Sequence, residues 1–133
     1  MATAYQERKM RDTSMNPGDQ QYFEAAAAGK LILGKCSQCG EHHHYPRALC
    51  PFCFSDKVQL AQAKGTGEIY SYSVSRRAGP VVYCIAYVKL DEGVTMLTNI
   101  VDCDLDTVKI GQKVKVTFKN TEGGVAMPVF APA

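Results

Sequence analysis

The sequence predicts a mainly β protein with one short N-terminal helix, a metal-binding ribbon and a small barrel. Two Cys-x-x-Cys pairs stand ten residues apart, at 36–39 and 50–53, and each pair lies in its own tight turn. From residue 64 onward, short runs of alternating apolar and polar residues are separated by turn residues, which is typical of an all-β domain. An alanine-rich segment that precedes both regions is the one candidate helix.

Composition restricts the classes of protein to which the chain can belong. Its 133 residues are 46% hydrophobic, which is enough for one ordinary core. The net charge of +2 is mild, and Lys and Arg are scattered among Asp and Glu. This balance argues against nucleic acid as the main partner, because committed nucleic-acid binders carry clustered basic surfaces.

The sequence also predicts a cellular location. No apolar run approaches the roughly 20 residues that a membrane-spanning helix needs. The polar start of the chain has no apolar signal region, so we expect a cytoplasmic protein without a membrane segment.

The two cysteine pairs predict a structural zinc site. A Cys-x-x-Cys turn places two sulfurs on one side of the backbone, and two such turns provide the tetrahedral set that Zn²⁺ accepts. The predicted ligands are Cys36, Cys39, Cys50 and Cys53. Two disulfides in a secreted domain are the alternative, which the absence of a signal peptide disfavours. Iron in the same site, acting in electron transfer, is a further possibility. Cys84 and Cys103, in hydrophobic stretches, are interpreted as reduced, buried thiols.

Patterning divides the chain into three parts: an N-terminal arm and helix (1–30), a zinc ribbon (31–62) and a barrel (63–133). Residues 1–15 are interpreted as a mobile arm or a tail that contacts a partner. Asn16 and Pro17 predict the helix start, as N-cap and first helical residue, and Gly29 predicts its end.

One face of the helix carries Tyr22, Phe23, Ala26 and Ala27. A helix of about three turns is not stable alone in water. This face therefore covers either the protein's own core or a partner's groove, and the sequence leaves both possibilities open.

Three consecutive histidines, His42, His43 and His44, lie between the cysteine pairs. One of them could replace a cysteine as a ligand, but four cysteines already complete the coordination. We expect an exposed ribbon tip with one imidazole packed against Tyr45.

Five short strands with a small helical turn at 102–106 predict a barrel of the OB type. The predicted strands are 68–74, 81–90, 94–101, 113–118 and 125–130.

Taken in order, these motifs resemble the zinc-ribbon plus OB-fold proteins of domain-of-unknown-function family thirty-five, which are associated with acyl-CoA enzymes. The resemblance covers roughly residues 16–131. The matching pieces are Tyr22-Phe23-Glu24-Ala25-Ala26-Ala27 with Gly29-Lys30-Leu31, Cys36-x-x-Cys39-Gly40, Tyr45-Pro46-Arg47, Cys50-Pro51-x-Cys53, Gly65-x-Gly67-x-Ile69-Tyr70-Ser71-Tyr72, Leu90-Asp91-Glu92-Gly93, Asn99-Ile100-Val101-Asp102 and Ile110-Gly111. The run of three histidines departs from the family pattern.

The resemblance implies a rubredoxin-like ribbon, an OB-fold and an accessory role. Members of the family are encoded with, or fused to, thiolase-like and sterol-carrier-type thiolase or aldolase proteins. We therefore expect a non-catalytic subunit that holds a thiolase-fold partner in a hetero-oligomer such as a heterotetramer. The partner would cleave or form a C–C bond next to a CoA thioester. Arg76 and Arg77 are candidates to grip the phosphates of CoA, although a solvated loop is the alternative.

The residues themselves argue against catalysis by this chain alone. All three histidines lie in the ribbon, whereas Cys84 and Cys103 lie on or beside barrel strands, so no pattern pairs a nucleophile with a base. The alternative function is binding of single-stranded nucleic acid, since ribbons and OB barrels both occur in such proteins. Tyr70, Tyr72, Tyr83 and Tyr87 could stack bases, although aromatic residues on barrel strands usually belong to the core.

Overall fold

The computed structural model describes residues 3–16 and 18–133. These residues form a mainly β protein with a short helix, as predicted. The elements are α1 (Asp19–Ala27), β1 (Ile32–Cys36), β2 (His42–His43), β3 (Val58–Gln62), β4 (Thr66–Ser75), β5 (Tyr83–Leu90), β6 (Thr95–Ile100), a 3-10 helix (Leu105–Thr107), β7 (Lys113–Asn120) and β8 (Ala126–Pro132).

The helix begins later than the sequence predicted. Gly18, with a φ of 93°, is the N-cap, and Asp19 is the first helical residue. The Asp19 carboxylate accepts a hydrogen bond from the backbone N–H of Asn16 at 2.9 Å, so the predicted N-cap residue donates instead of capping. Pro17, the predicted first helical residue, lies outside the described residues. The helix start was therefore wrong, because Gly18 adopts the left-handed turn that aligns Asp19 with the first turn.

The helix ends as predicted, with Gly29 just beyond it. Gly29 has a φ of 80° and donates its N–H to the carbonyl of Ala26 at 2.9 Å. Lys30 donates to the carbonyl of Ala25 at 2.9 Å. These two bonds form a Schellman motif, which satisfies carbonyls that would otherwise lack partners and turns the chain directly into β1.

The ribbon is a three-stranded antiparallel sheet in the order β2-β1-β3. Its central strand pairs Gly34 with His43 on one side and with Leu60 on the other. Leu31 and Leu33 are fully buried and join the same hydrophobic core as the barrel residues Ile69, Val88 and Phe130. The ribbon and the barrel are therefore held together by one continuous core.

The barrel closes in the order β4-β5-β6-β8-β7, with β4 pairing β7. Its one parallel contact joins β6 to β8 at Ile100 and Phe130, both completely buried. A bulge between Ile69 and Ser71 leaves Tyr70 without a cross-strand partner on β5. Such a bulge lets the long strand β4 bend around the barrel and pair with two neighbours.

The N-terminal arm (residues 3–16) lies along the barrel, in contrast to the mobile arm that we expected. Thr3 donates its N–H to the Asp104 carboxylate at 2.9 Å. The Asp12 carboxylate accepts from the Thr121 hydroxyl at 2.6 Å and from the Gly123 N–H at 2.9 Å. The arm is thus tied down at both ends by hydrogen bonds that composition alone did not reveal.

Candidate metal centre

The four predicted ligands converge. The sulfurs of Cys36 and Cys53 are 3.6 Å apart, those of Cys39 and Cys50 are 3.7 Å apart, and all four lie within 4.8 Å of one another. A tetrahedron with Zn–S bonds of about 2.3 Å has edges of about 3.8 Å, so the arrangement fits zinc without movement of the backbone. These separations are far longer than a disulfide bond, and all six cysteines are free.

Two nearly identical knuckles present the sulfurs: the first knuckle (residues 36–41) and the second knuckle (residues 50–55). In the first, Cys36 donates its N–H to Glu41 at 3.0 Å and Gly40 donates to Cys36 at 2.9 Å. In the second, Cys50 donates to Ser55 at 2.9 Å and Phe54 donates to Cys50 at 2.9 Å. Phe54 therefore occupies in the second knuckle the position that Gly40 has in the first.

That position requires a left-handed backbone. Gly40 has a φ of 79° and Phe54 a φ of 63°. Glycine adopts this conformation freely, but an L-residue with a side chain loses about 1–2 kcal/mol in it. The second knuckle therefore carries backbone strain that the first does not.

The environment treats the four thiols unequally. The pKa is lowered for Cys36 and Cys50 and raised for Cys39 and Cys53, so zinc, which binds thiolates, would have to displace protons from the latter pair. The backbone N–H groups of Cys39 and Gln38 lower the pKa of the Cys36 thiol to about 6. Cys36 and Cys50 are completely buried, which shields the cluster from water on that side. Four protein ligands fill the tetrahedron, so zinc held here would be structural, with no position for a catalytic water.

The histidines lie outside the cysteine cluster, and the expected exposed ribbon tip is incorrect. His43 is only 4% exposed, and its Nε2 accepts the Arg47 N–H at 3.3 Å. A Cβ atom at Gly34 would approach this ring to 2.2 Å, so glycine on β1 creates the space for it. His43 is therefore a core residue of the ribbon.

His44 joins the ribbon to the helix. Its Nε2 lies 2.8 Å from the hydroxyl of Tyr22, and its ring packs against Tyr45, as expected for one imidazole, with centroids 3.9 Å apart. Tyr22 also meets the Tyr45 ring edge-on at 4.9 Å. These three rings form the contact that fixes α1 against the ribbon loop.

The structure distinguishes the two possibilities for the helix face. Tyr22, Phe23 and Ala26 are buried and pack on this chain's own core, whereas Ala27 is exposed and Ala25 is partly buried in its place. A partner could reach the three buried side chains only if the helix left the core. This face of α1, which could have filled a groove on a partner, therefore packs inside the chain itself.

The two remaining cysteines show no arrangement for nucleophilic catalysis. Cys84 is completely buried, and this burial raises the pKa of its thiol to about 11, so it is protonated near neutral pH. Burial also raises the pKa of Cys103. Every histidine lies in or directly after β2 of the ribbon, whereas Cys84 is on β5 of the barrel.

The structure gives the two arginines of the 76–82 loop different surroundings. Arg76 pairs with the Asp106 carboxylate and donates to the Thr3 hydroxyl at 2.9 Å, so it ties the arm to the barrel. Arg77 is exposed and makes no ion pair within the described residues. Of these two arginines, only Arg77 has a guanidinium without an ion pair among the described residues.

An exposed apolar cluster covers the outer face of the sheet formed by β4, β5 and β6. We call it the barrel patch; its members are Tyr70, Ile85, Tyr87 and Leu97, all exposed, whereas Tyr72, also exposed, pairs with the buried Ala86 and lies on the other face of β4. Tyr87 pairs with Ser71 on one side and Leu97 on the other. A shallow groove of about 170 Å³ runs between them. The expectation that barrel tyrosines belong to the core is thus wrong for three of the four.

The N-terminal arm covers one end of the surface that OB-folds use for oligonucleotides, namely the face of the second and third barrel strands between the 1–2 and 4–5 loops. Here the Arg8 guanidinium lies 3.8 Å above the ring of Tyr83, at the start of the second barrel strand. Met10 accepts a hydrogen bond from Glu122, in the loop between β7 and β8, at 3.0 Å. With the arm in place, the start of β5 and the loop between β7 and β8 are covered, whereas the exposed side chains of Ile85, Tyr87 and Leu97 leave the middle of the β5–β6 face open.

Comparison with known families agrees with this architecture. Residues 23–59 match the family model described as the rubredoxin-like zinc ribbon domain of ChsH2, and residues 61–119 match its C-terminal OB-fold domain. The chain belongs to the ChsH2 (DUF35) family. The rubredoxin-like ribbon and the five-stranded OB-fold, both predicted from the sequence, are thereby confirmed.

Relatives of this DUF35 protein include both scaffold proteins and enzyme subunits. A probable enoyl-CoA hydratase alpha subunit of Thermomonospora curvata is 33% identical over 90% of this chain, which spans only 39% of that relative's length. A DUF35 domain-containing scaffold protein of Methanothermobacter thermautotrophicus is 36% identical, over 67% of this chain and 71% of its own length.

Solved structures show the same fold. A chain of the Ltp2-ChsH2(DUF35) aldolase superposes with a TM-score of 0.79 at 32% identity, covering 91% of this DUF35 protein and 98% of that chain. A Sulfolobus solfataricus DUF35 protein of unknown function superposes with a TM-score of 0.64 at 20% identity, over 90% and 87% of the two chains, which supports the fold alone. Within residues 3–16 and 18–133, no helix is long and apolar enough to cross a membrane.

The contact between His44 and Tyr22 predicts a pH-dependent stability. Burial lowers the pKa of His44 from 6.5 to about 4. Between these values the unfolded chain binds more protons than the folded one, so the free energy of unfolding falls as the pH drops. We expect zinc-saturated protein to lose about 1 kcal/mol between about pH 7 and about pH 5.5, measured by urea unfolding.

Two matched variants distinguish the contribution of His44 to this pH dependence from that of His42. His44→Gln should lose a large part of that pH dependence and keep the part due to His43, whose pKa burial also lowers, whereas His42→Gln, on the same ribbon, should keep all of it. If wild type and His44→Gln lost the same free energy of unfolding over this pH range, the pH dependence would come from another group.

Proposed function

We propose that this DUF35 protein is a non-catalytic accessory subunit of a thiolase-type acyl-CoA enzyme. The enzyme would cleave or form a C–C bond next to a CoA thioester, and this chain would stabilise its thiolase-fold subunit within a hetero-oligomer such as a heterotetramer. The reactive groups would come from the partner, in a reducing compartment such as the cytoplasm, where free thiols and zinc thiolates persist.

The barrel patch is the observation that carries the proposal. Monomeric soluble proteins rarely expose a contiguous apolar surface of this kind, and tyrosine is enriched at protein interfaces. Across the middle of the patch, Tyr87, Leu97 and Ser71 stand in register and none of them is ionised. Such a surface suits a stable interface with another protein better than a small charged ligand.

The relatives support the choice of partner. Three archaeal relatives carry the description scaffold protein, and the aldolase relative is a two-component assembly by its description. A scaffold of this family needs a surface for its enzyme, and the barrel patch is exposed on a rigid sheet. We therefore assign the barrel patch to contact with the thiolase-type partner.

The first test is co-purification with the tagged chain, followed by assembly with any thiolase-type protein that it captures. Co-expression should give a stable complex in size-exclusion chromatography with light scattering. Leu97 is 54% exposed, so Leu97→Glu should fold normally but weaken partner binding at least tenfold, because it buries a carboxylate in an apolar interface.

Thr95→Glu supplies the matched control, since Thr95 lies on the same face of β6 and is exposed. It should change the affinity by less than about threefold. Equal binding by wild type and Leu97→Glu, or no complex with the wild-type chain, would contradict the proposal.

We further propose that Arg77 contributes to CoA binding in the assembled enzyme. It is the arginine of the 76–82 loop that has no intramolecular ion pair among the described residues. A guanidinium binds phosphate oxygens through paired N–H groups. Arg76, in contrast, is occupied by Asp106 and Thr3.

Titration of the complex with CoA tests this assignment by calorimetry. Arg77→Ala should raise the dissociation constant about threefold to tenfold, the range of one partly exposed charged contact. Lys57→Ala removes a cation from the ribbon and should leave the constant unchanged. If Arg77→Ala binds CoA as wild type does, the loop does not contact the cofactor.

A further inference from the structure

The N-terminal arm adjoins the barrel patch at Tyr83. On β5, Tyr83, Ile85 and Tyr87 alternate with residues that face the barrel interior, so these three side chains share the outer face of the strand. The Arg8 guanidinium of the arm lies 3.8 Å above the Tyr83 ring. Arg8 therefore stands at the end of the barrel patch, one strand repeat beyond Ile85.

Polar contacts hold the arm on both sides of Arg8. Before it, the Glu7 carboxylate pairs with the Lys119 ammonium at 2.9 Å. After it, the Met10 carbonyl accepts a hydrogen bond from the Glu122 N–H at 3.0 Å. The backbone at Arg8 is thereby held against the barrel, and stacking on the tyrosine ring orders the side chain. A group that is ordered in advance loses less conformational entropy when it binds.

The charge of this ordered guanidinium has no counter-ion among the described residues. Arg8 is exposed and makes no ion pair within residues 3–16 and 18–133. Its neighbour Glu7 pairs with Lys119 instead. Stacking on an aromatic ring uses the flat face of a guanidinium and leaves the N–H groups at its edge available to a carboxylate.

We propose that Arg8 anchors the thiolase-type partner at this end of the barrel patch, by pairing with an Asp or Glu side chain of that protein. This inference rests on the proposed function, and it makes the docked arm a part of the interface. Arginine is enriched among the residues that dominate binding energy in interfaces. A charge pair at the edge of an apolar surface also fixes the orientation of the partner.

The composition of the β4–β6 face disfavours a second copy as the source of this carboxylate. The residues directly opposite Ile85 and Tyr87 share their face, and these are Ser71, Ser73, Leu97 and Asn99. None of them carries a negative charge. Glu68 is the carboxylate of β4, and it pairs with Lys113. A second copy packed patch to patch would therefore bring Arg8 no carboxylate from the patch itself.

A nucleic-acid strand also fits this face less well than a protein does. Ile85 and Leu97, 41% and 54% exposed, offer neither an aromatic ring to a base nor a cation to a phosphate. An apolar centre with an ordered arginine at its edge is typical of a protein interface.

Substitution of Arg8 tests the assignment in the complex that the tagged chain captures. Arg8→Ala should weaken binding of the thiolase-type partner about tenfold and reduce the salt dependence of the affinity, because one ion pair across the interface is lost. Arg8→Lys should restore only part of the affinity, since an ammonium does not bind a carboxylate through two parallel N–H groups. Calorimetry at two salt concentrations measures both effects.

Arg11→Ala is the matched control. Arg11 is an exposed arginine of the same arm, also without an ion pair among the described residues, and it lies three residues beyond the contact with Tyr83. Its substitution should change the affinity by less than about twofold. If Arg8→Ala binds the partner as wild type does, while Leu97→Glu still weakens binding, this inference fails and the proposed function stands.

Limited proteolysis shows whether the arm stays on the barrel in the complex. Trypsin cleaves after arginine and lysine, and Arg8, Lys9 and Arg11 are all exposed in the chain alone. Binding of the partner should slow cleavage after Arg8, because the proposed ion pair buries this side chain. Faster cleavage in the complex would show that the partner displaces the arm, and would overturn the inference.

Three other results would also overturn the inference. A tagged chain that captures no thiolase-type protein would remove the proposed function itself. Self-association of the wild-type chain that Arg8→Ala abolishes would assign Arg8 to a second copy. Binding of CoA or of a single-stranded thymidine oligonucleotide that depends on Arg8, with unchanged affinity for the partner, would assign it to phosphate groups.

Discussion

The convergence of four sulfurs is the constraint on which the ribbon depends. The sheet of the ribbon has three strands, β2 only two residues long, and its two knuckles hold pairs of sulfurs 3.6–3.7 Å apart. Metal binding can supply on the order of 10 kcal/mol to such a site. That energy fixes the loop between the knuckles, and through it Tyr45 and His44, which hold Tyr22 of the helix. The free energy of metal binding also exceeds the cost of the left-handed backbone at Phe54, so the fold tolerates that strain.

The N-terminal arm narrows the surface that oligonucleotide-binding OB-folds use. It covers one end of that surface, through Arg8 on Tyr83 and Met10 on Glu122. The rest of the β5–β6 face displays exposed apolar side chains instead of basic ones. This apolar barrel patch is suited to a scaffold whose own cysteines and histidines lie apart.

Part of the fold and of the candidate metal site could be predicted from the sequence, because it depends on local chemistry. Paired cysteines at metal spacing and Gly29 after the helix act over a few residues; the structure brings the four sulfurs together and ends the helix just before Gly29, as predicted. Contacts between segments far apart in the chain could not be predicted from the sequence. Asp12 meets Gly123 across more than a hundred residues, and His43 is buried because β1 has a glycine at position 34. The outward Tyr70 was missed because the bulge at this residue breaks the alternation on which the strand pattern depends. Tyr87 alternates regularly with the buried Ala86 and Val88, so it was missed because aromatic residues on strands were assumed to belong to the core. Phe54 was missed because a knuckle normally signals its left-handed residue with glycine, as Gly40 does.

The account depends above all on a closed metal site that organises the ribbon and performs no chemistry. X-ray absorption at the zinc edge, on the chain alone and in complex with its partner and CoA, tests this most directly. The account predicts four sulfur neighbours at about 2.3 Å in both samples, with no change on addition of CoA. An oxygen or nitrogen neighbour, fewer than four sulfurs, or a first shell that changes with CoA would contradict it.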